Sequence, residues 1–315
     1  MKKVVFLGTD GIGAAALRWL WERQGSTFEL VGAVSGVDRK MGRGLHRQAN
    51  PIAALSKNLK LDVLQTERPA EELVPWLEER MADLGIVFAY GHILRQRALD
   101  TPPMGFVNLH ASQLPELRGP SPIEGAILGR RDKTGMTLMR LVREMDAGPI
   151  FGTVAVAIER DETTPSLRKK MSIAAVEVLE RFWEKLLAGQ LPAVAQDASM
   201  ATHTHILRRE DGFLNFSRPA EELEAMVRAH IAWPGSYFFL KGERILVRKA
   251  AIGQGTAAHG SLLGLRHGAL EIAAGNGVLR CLELQRPARK TLPADVIWRQ
   301  LLCEWDTVPS HVDQP

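Results

Sequence analysis

Cysteine is scarce: the 315 residues contain two, Cys281 and Cys303. They have neither the spacing of a metal site nor the number of a disulfide framework, which fits a reducing, cytoplasmic setting. No apolar run approaches the ~20 residues that cross a bilayer, so no membrane partner is expected. The opening Met1-Lys2-Lys3 places basic residues before an apolar stretch, as a signal peptide would. That stretch is short, however, and runs straight into Gly8-Thr9-Asp10-Gly11, so it reads as a first buried strand. Gly8-Thr9-Asp10-Gly11-Ile12-Gly13 lacks the G-x-G-x-x-G spacing of a dinucleotide fingerprint, and no G-K-[ST] follows it. These glycines read as a tight strand-to-helix turn. A dominant charge is also missing. Lys and Arg total 40 against 36 Asp and Glu, and residues 190–315 hold 14 against 13. A polyanionic partner is permitted, but no globally basic domain announces one. No internal repeat is present.

What is present is ordinary globular material, 45% hydrophobic and 24% charged, in a length that suggests two domains. Short apolar runs at Val4 to Gly8, Leu30 to Val34, Asp62 to Gln65, Leu84 to Tyr90 and Gly105 to His110 read as strands. Helical patterns alternate with them at Ala14 to Gln24, Asn50 to Asn58 (with Pro51 in the first turn) and Ala70 to Ala82. Such alternation predicts βαβ units and a parallel sheet, with ligands beyond the carboxyl ends of the strands. A helix over Gly119 to Leu128, a hairpin-like stretch over Gly135 to Ile158 and a helix over Thr164 to Ala188 follow. Residues 190–209 show no period and read as a linker between domains at 1–189 and 210–315. After a helix over Pro219 to Ala229, short runs at Tyr237 to Leu240, Arg244 to Ala250, Gly260 to Arg266, Ala269 to Ala273 and Val278 to Leu284 predict a small β-barrel.

Chemistry concentrates at Val107-Asn108-Leu109-His110-Ala111-Ser112. Asn108 and His110 are two apart in a strand, so they share a side near its carboxyl end. An amide and an imidazole placed there can both donate to an oxygen gaining negative charge, as acyl transfer requires, and the imidazole can move a proton. Asp146, in Met145-Asp146-Ala147-Gly148, sits in a turn between apolar stretches. It is placed to orient or charge-stabilise the imidazole and to handle a proton through water.

These motifs resemble the 10-formyltetrahydrofolate-dependent formyltransferases over nearly the whole chain. Asn108-x-His110-x-Ser112-x-Leu114-Pro115-x-x-Arg118-Gly119 is similar to the family's signature, and Thr134-Gly135-Met136-Thr137 and Met145-Asp146-Ala147-Gly148 to its next two segments. Trp233-Pro234-Gly235 and Leu282-Glu283-Leu284-Gln285-x-Pro287 are similar to its carboxy-terminal domain. The resemblance implies an α/β fold: a Rossmann-like, mostly parallel sheet formyltransferase domain followed by a small, OB-like β-barrel. It implies Asn108, His110 and Asp146 as a catalytic triad and 10-formyltetrahydrofolate as co-substrate, with no metal. The pterin would rest on Phe88-Ala89-Tyr90-Gly91-His92-Ile93-Leu94, largely through backbone groups, with Ser112, Leu114 and Pro115 alongside.

Within the family the acceptor is methionyl-initiator tRNA or a nucleotide-linked amino sugar. Asp38-Arg39-Lys40-Met41-Gly42-Arg43-Gly44-Leu45-His46-Arg47 resembles the insertion loop that the tRNA-dependent members place near the acceptor end. The resemblance implies phosphate contacts for Arg39, Lys40, Arg43 and Arg47, with Arg43 as the key residue, and for Arg208 and Arg209 farther on. Three features depart from the tRNA pattern: Glu116 where a basic residue is common, Ile206 at a linker lysine, and Ala147 and Pro149 around the aspartate. A monomer is expected.

Overall fold

The computed structural model describes residues 1–41, 46–305, 307 and 309–313, with backbone alone at 39–41 and 46–48. It divides into two compact units: residues 1–122, 133–157 and 168–205 form one, and residues 123–132, 158–167 and 206–315 the other. The sequence reading divides the chain contiguously. Grouping 123–132 and 158–167 with the carboxy-terminal residues depends on contacts between segments far apart in the chain, such as the Thr164 hydroxyl on the Ala229 carbonyl at 2.6 Å. No local pattern announces such contacts.

The first unit is built on seven strands: β1 (Lys2–Leu7), β2 (Phe28–Ser35), β5 (Val63–Gln65), β6 (Leu84–Val87), β7 (Phe106–His110), β8 (Lys133–Arg140) and β9 (Ile150–Ala157). Their order is β5-β2-β1-β6-β7-β8-β9. The first five are parallel, and β8 and β9 run antiparallel at one edge. Strand order reverses between β1 and β6, so the crevice that such sheets use for ligands opens there, beyond their carboxyl ends. The central strands are buried on both faces, with Val4 to Leu7 and Ile86 fully enclosed, which is why they read as continuous apolar runs rather than alternating ones. Gly85 lies against the Phe106 ring and Gly32 against Trp76; a Cβ at either would collide with the aromatic side chain.

Helices α1 (Ala14–Arg23), α2 (Pro51–Asn58), α3 (Pro69–Glu79), α4 (Gln96–Leu99), α5 (Pro122–Leu128) and α6 (Thr164–Leu187) intervene. Asn50 caps α2, accepting from the Ile52 and Ala53 amides, with Pro51 in the first turn. A short antiparallel pair, β3 (Arg39–Met41) with β4 (His46–Gln48), lies in the basic insertion, where the sequence reading places no strand. Its root is fixed by Asp38, whose Oδ1 accepts from the Asn50 amide at 3.1 Å and from Gln65 Nε2 at 2.9 Å. Of the boundaries that differ from the sequence reading, two have a clear backbone cause. β6 stops at Val87 rather than Tyr90 because Ala89 takes a left-handed conformation, φ +50°. α5 starts at Pro122 rather than Gly119, which has φ +105° and cannot be helical.

The second unit carries an antiparallel sheet of β10 (Ser236–Leu240), β11 (Glu243–Gly253), β12 (Leu262–Arg266), β13 (Ala269–Ala273), β14 (Val278–Gln285) and β15 (Thr291–Pro293). The order is β10-β11-β14-β13-β12, with β15 on β14. Register shifts between Val247 and Ala250 bend β11, as bulges do. Near the chain end Asp313 bridges Phe239 of β10 while His311 bridges Ser261 ahead of β12, so one segment spans both sheet edges and closes a barrel. Leu223 and Met226 of α7 (Ala220–Ala229) and Ile297 and Leu301 of α8 (Ala294–Glu304) pack into its core with Phe238, Ile245, Ile272 and Leu279. The sequence reading places no element past Leu284; β15 and α8 are the difference. No helix among the described residues is long and apolar enough to cross a membrane.

Candidate active site

The carboxyl end of β7 places Asn108 and His110 on one side of the strand, both buried. His110 Nε2 lies 3.0 Å from the Leu117 carbonyl oxygen. A carbonyl only accepts, so this nitrogen carries the proton. The other ring nitrogen, Nδ1, faces Asp146, 3.6 Å from Oδ2. That same oxygen accepts the Gly119 amide at 2.8 Å. The Asn108 carboxamide has no hydrogen-bond partner among the described residues, so its donors remain available beside the imidazole.

Asn108 and His110 are held by the regular strand β7, whereas Asp146 and the loop that faces His110 use backbone that most residues avoid. Leu117 at φ +57° and Asp146 at φ +50° are left-handed, as is Gly119. The Leu114–Pro115 peptide is cis. A Cβ at Gly148 would run into the Arg140 carbonyl oxygen, so the chain after Asp146 can pass only as glycine. Within the signature loop the Ser112 hydroxyl donates to the Glu116 carbonyl at 2.6 Å, and the Thr137 hydroxyl donates to the Ser112 carbonyl, also at 2.6 Å. Leu114, buried, donates its amide to Thr137 Oγ1 at 3.4 Å, and the half-buried Pro115 follows it.

The segment read as a linker contributes most of what the sequence reading misses. Thr202 Oγ1 accepts the Leu117 amide at 2.8 Å, and its carbonyl accepts the Arg118 amide at 2.9 Å. Thr204 donates its amide to the Arg118 carbonyl at 2.8 Å, while its hydroxyl accepts the Ser121 amide at 3.1 Å. Gln196 bonds both the Arg118 guanidinium and the turn around Asp146. Neutral Thr and Gln in an aperiodic stretch carry no chemical signature, and only the fold brings them here.

The loop after β6 has its ends in the core and its middle in the open. Val87, Tyr90 and Leu94 belong to one buried cluster, Phe88 is enclosed, and Gly91 and Ile93 are exposed. Ala89 accepts the Thr9 and Asp10 amides at 3.1 and 3.3 Å, and the Tyr90 carbonyl accepts the Thr9 hydroxyl at 2.7 Å. The glycine turn after β1 therefore buttresses this loop. Gly91, at φ +80°, has open space where a Cβ would stand, and His92 stacks obliquely near Tyr90, ring centroids 5.1 Å apart. The backbone amides of Gly91, His92 and Ile93 donate to nothing among the described residues. The Tyr90 hydroxyl is buried without a hydrogen-bond partner, and burial pushes its pKa up to about 12.

The basic residues fall in two places. Arg39, Lys40 and Arg47 lie on the β3–β4 hairpin of the first unit, and Arg43 lies outside the described residues. Arg208 and Arg209 are exposed in the second unit, at a short turn where the Arg208 amide donates to Asp211 Oδ2 at 2.6 Å. Among the described residues no three His, Cys, Asp or Glu side chains converge on a metal position.

Residues 1–182 match the formyl transferase family, and residues 206–302 match the formyl transferase C-terminal domain. The chain is 35% identical over 302 residues to the methionyl-tRNA formyltransferase of Roseiflexus castenholzii, covering 95% of each protein. Among solved structures, an N-formyltransferase from Helicobacter canadensis in complex with folinic acid and dTDP-3-aminofucose shares the fold. Its TM-score is 0.66 at 14% identity, over 91% of this chain and all of that one. HypX from Aquifex aeolicus shares the fold as well (TM-score 0.64, 17% identity); this chain, matched in full, spans 51% of its length. The mostly parallel sheet, the signature loop beyond β7 and the two family matches agree, and the chain belongs to the formyl transferase family.

Proposed function

We propose that this protein transfers the formyl group of 10-formyltetrahydrofolate to the α-amino group of methionyl-initiator tRNA. The observation that carries the chemistry is the placement of His110 between the Leu117 carbonyl and Asp146, with the uncommitted Asn108 amide on the same side of the strand. The observation that favours this acceptor is the near-full-length likeness to relatives named methionyl-tRNA formyltransferase, such as that of Roseiflexus castenholzii.

The loop after β6 suits a pterin. Its exposed middle offers uncommitted amides at Gly91, His92 and Ile93 to a ring edged with hydrogen-bonding groups, and Gly91 leaves room for close approach. With the folate there, the amine nitrogen attacks the formyl carbon and forms a C–N bond. The carbonyl oxygen becomes an oxyanion, and Asn108 donates to it. The proton on His110 Nε2, which the resting structure gives to Leu117, is the second donor; an oxyanion competes well because charged acceptors bind such protons more strongly than neutral carbonyls. Asp146 balances charge on the imidazole and receives a proton from the amine through water. Collapse re-forms the carbonyl and breaks the bond to folate N10, which takes up through water the proton that Asp146 received from the amine, so Asp146 ends as a carboxylate again. On the acceptor side, Arg39, Lys40, Arg43, Arg47, Arg208 and Arg209 would hold phosphates.

The test is direct. Purified protein is incubated with 10-formyltetrahydrofolate and either charged initiator tRNA or nucleotide-linked amino sugars. Formyl-methionyl-tRNA is the expected product. Its absence while an amino sugar is formylated would move the assignment to the sugar acceptor, and no formylation at all would overturn it.

A further inference from the structure

Resting on that function, we propose that Gln196 is a positioning residue that fixes the Asp146 carboxylate opposite His110. Its side-chain amide is fully used at both ends. Nε2 donates to the Asp146 carbonyl at 2.8 Å and to the Gly148 carbonyl at 2.7 Å. Oε1 accepts from Arg118 Nε at 3.1 Å and from Arg118 Nη2 at 2.8 Å.

These bonds close a ring. Arg118 is followed by Gly119, whose amide holds Asp146 Oδ2 at 2.8 Å, and the backbone of Asp146 returns to Gln196. Asp146 thus has its carboxylate tethered from one side of the ring and its carbonyl from the other. The turn needs both tethers: Asp146 sits at φ +50°, a conformation that disfavours residues other than glycine, and two carbonyls two positions apart must point the same way to meet one amide. Only a carboxamide has the chemistry for this position. A carboxylate would satisfy Arg118 but repel both carbonyls, and a cation would satisfy the carbonyls but repel the guanidinium. Arg118 is buried, 8% exposed, and both hydrogen bonds that its guanidinium makes among the described residues go to Gln196, so the amide also sets where that charge lies.

Gln196 is half-buried and has no hydrogen bond to His110 or Asn108, so its influence on the reaction runs through Asp146. Two substitutions separate positioning from simple support. Gln196→Glu keeps the acceptor for Arg118 and loses both donations to the turn; Gln196→Met fills the space and loses all four bonds. The expected result in both is a fall in kcat of about 10- to 100-fold, as misplacement of a reacting group produces. KM for 10-formyltetrahydrofolate should stay within about twofold, because the folate loop is elsewhere. The pH–kcat profile should move, and so should the imidazole ¹⁵N resonances of His110.

A folded variant with kcat within about twofold of wild type overturns the proposal. So does a loss of kcat with an unmoved pH profile and unmoved His110 resonances, and so does failure of both variants to fold. Wild-type turnover is measured first. If it is absent, the proposed function fails, and the His110 resonances of Gln196→Glu still decide whether Gln196 places Asp146.

Discussion

Asp146 Oδ2 stands 3.6 Å from His110 Nδ1, beyond hydrogen-bonding distance, and gives its short bond of 2.8 Å to the Gly119 amide instead. The carboxylate therefore acts on the imidazole through charge more than through a shared proton, and its direction is set by the signature loop. A side chain that keeps the loop contact but loses the charge separates the two effects.

Asp146→Asn is that side chain. Its amide oxygen still accepts from Gly119, so the turn and the unfolding midpoint should remain near wild type. Turnover should fall by about 100-fold or more, since the imidazole loses its counter-charge and the amine its proton acceptor. Steady-state kinetics beside a thermal melt check this; retained kcat would remove Asp146 from the chemistry.

Asn108→Ala removes a donor that holds up nothing in the fold. Among the described residues its carboxamide is without a partner, so stability should change little beyond the loss of packing. Catalysis should fall by roughly 3–4 kcal/mol of transition-state stabilisation, the usual effect of losing one oxyanion donor. The loss should appear in kcat with KM for both substrates little changed. A large drop in melting temperature with unaltered kcat would make Asn108 a structural residue.

Tyr90 gives a pH-dependent prediction outside the reaction. Its phenol is buried and ionises near 12 in the folded protein, against 10 unfolded. Between those values the unfolded chain has released a proton that the folded chain keeps, so stability falls as pH rises through the window, by roughly 2–3 kcal/mol at its end. Tyr90→Phe should abolish that component. Because the lost hydroxyl has no partner, the variant should be at least as stable as wild type at neutral pH. Chemical denaturation at pH 9 and pH 12 measures the difference; a gap between the two proteins that does not change with pH refutes it.

The parallel strands were legible because burial on both faces produces unbroken apolar runs such as Val4 to Leu7, and Asn108 and His110 because a spacing of two in a strand puts both on one side. The end of β6 was not legible, since Ala89 carries no mark of its left-handed turn. Thr202 and Gln196 were illegible for a different reason. Their partners, Leu117 and Arg118, lie nearly eighty residues or more away in the chain, and a neutral side chain gains meaning only once the fold supplies its partner. The second unit shows both cases: alternating short strands announced the barrel, whereas α8, whose Ile297 and Leu301 complete its core, lay beyond the last element read.

Arg43, Arg208 and Arg209 bear on the acceptor. If methionyl-initiator tRNA is the substrate, each phosphate contact releases counterions, so kcat/KM for tRNA must fall as salt rises. Arg43→Ala should raise KM for tRNA and flatten the plot of log kcat/KM against log salt by about one, the effect of losing one phosphate contact. Arg208→Ala with Arg209→Ala should flatten it further if both arginines make such contacts. In all of these variants KM for 10-formyltetrahydrofolate should be unchanged, because their positions belong neither to the loop after β6 nor to the signature loop. A small acceptor would give a shallow plot in wild type and no change on substitution. A steep wild-type slope that survives all three substitutions would keep the tRNA and move its phosphate contacts to other basic residues.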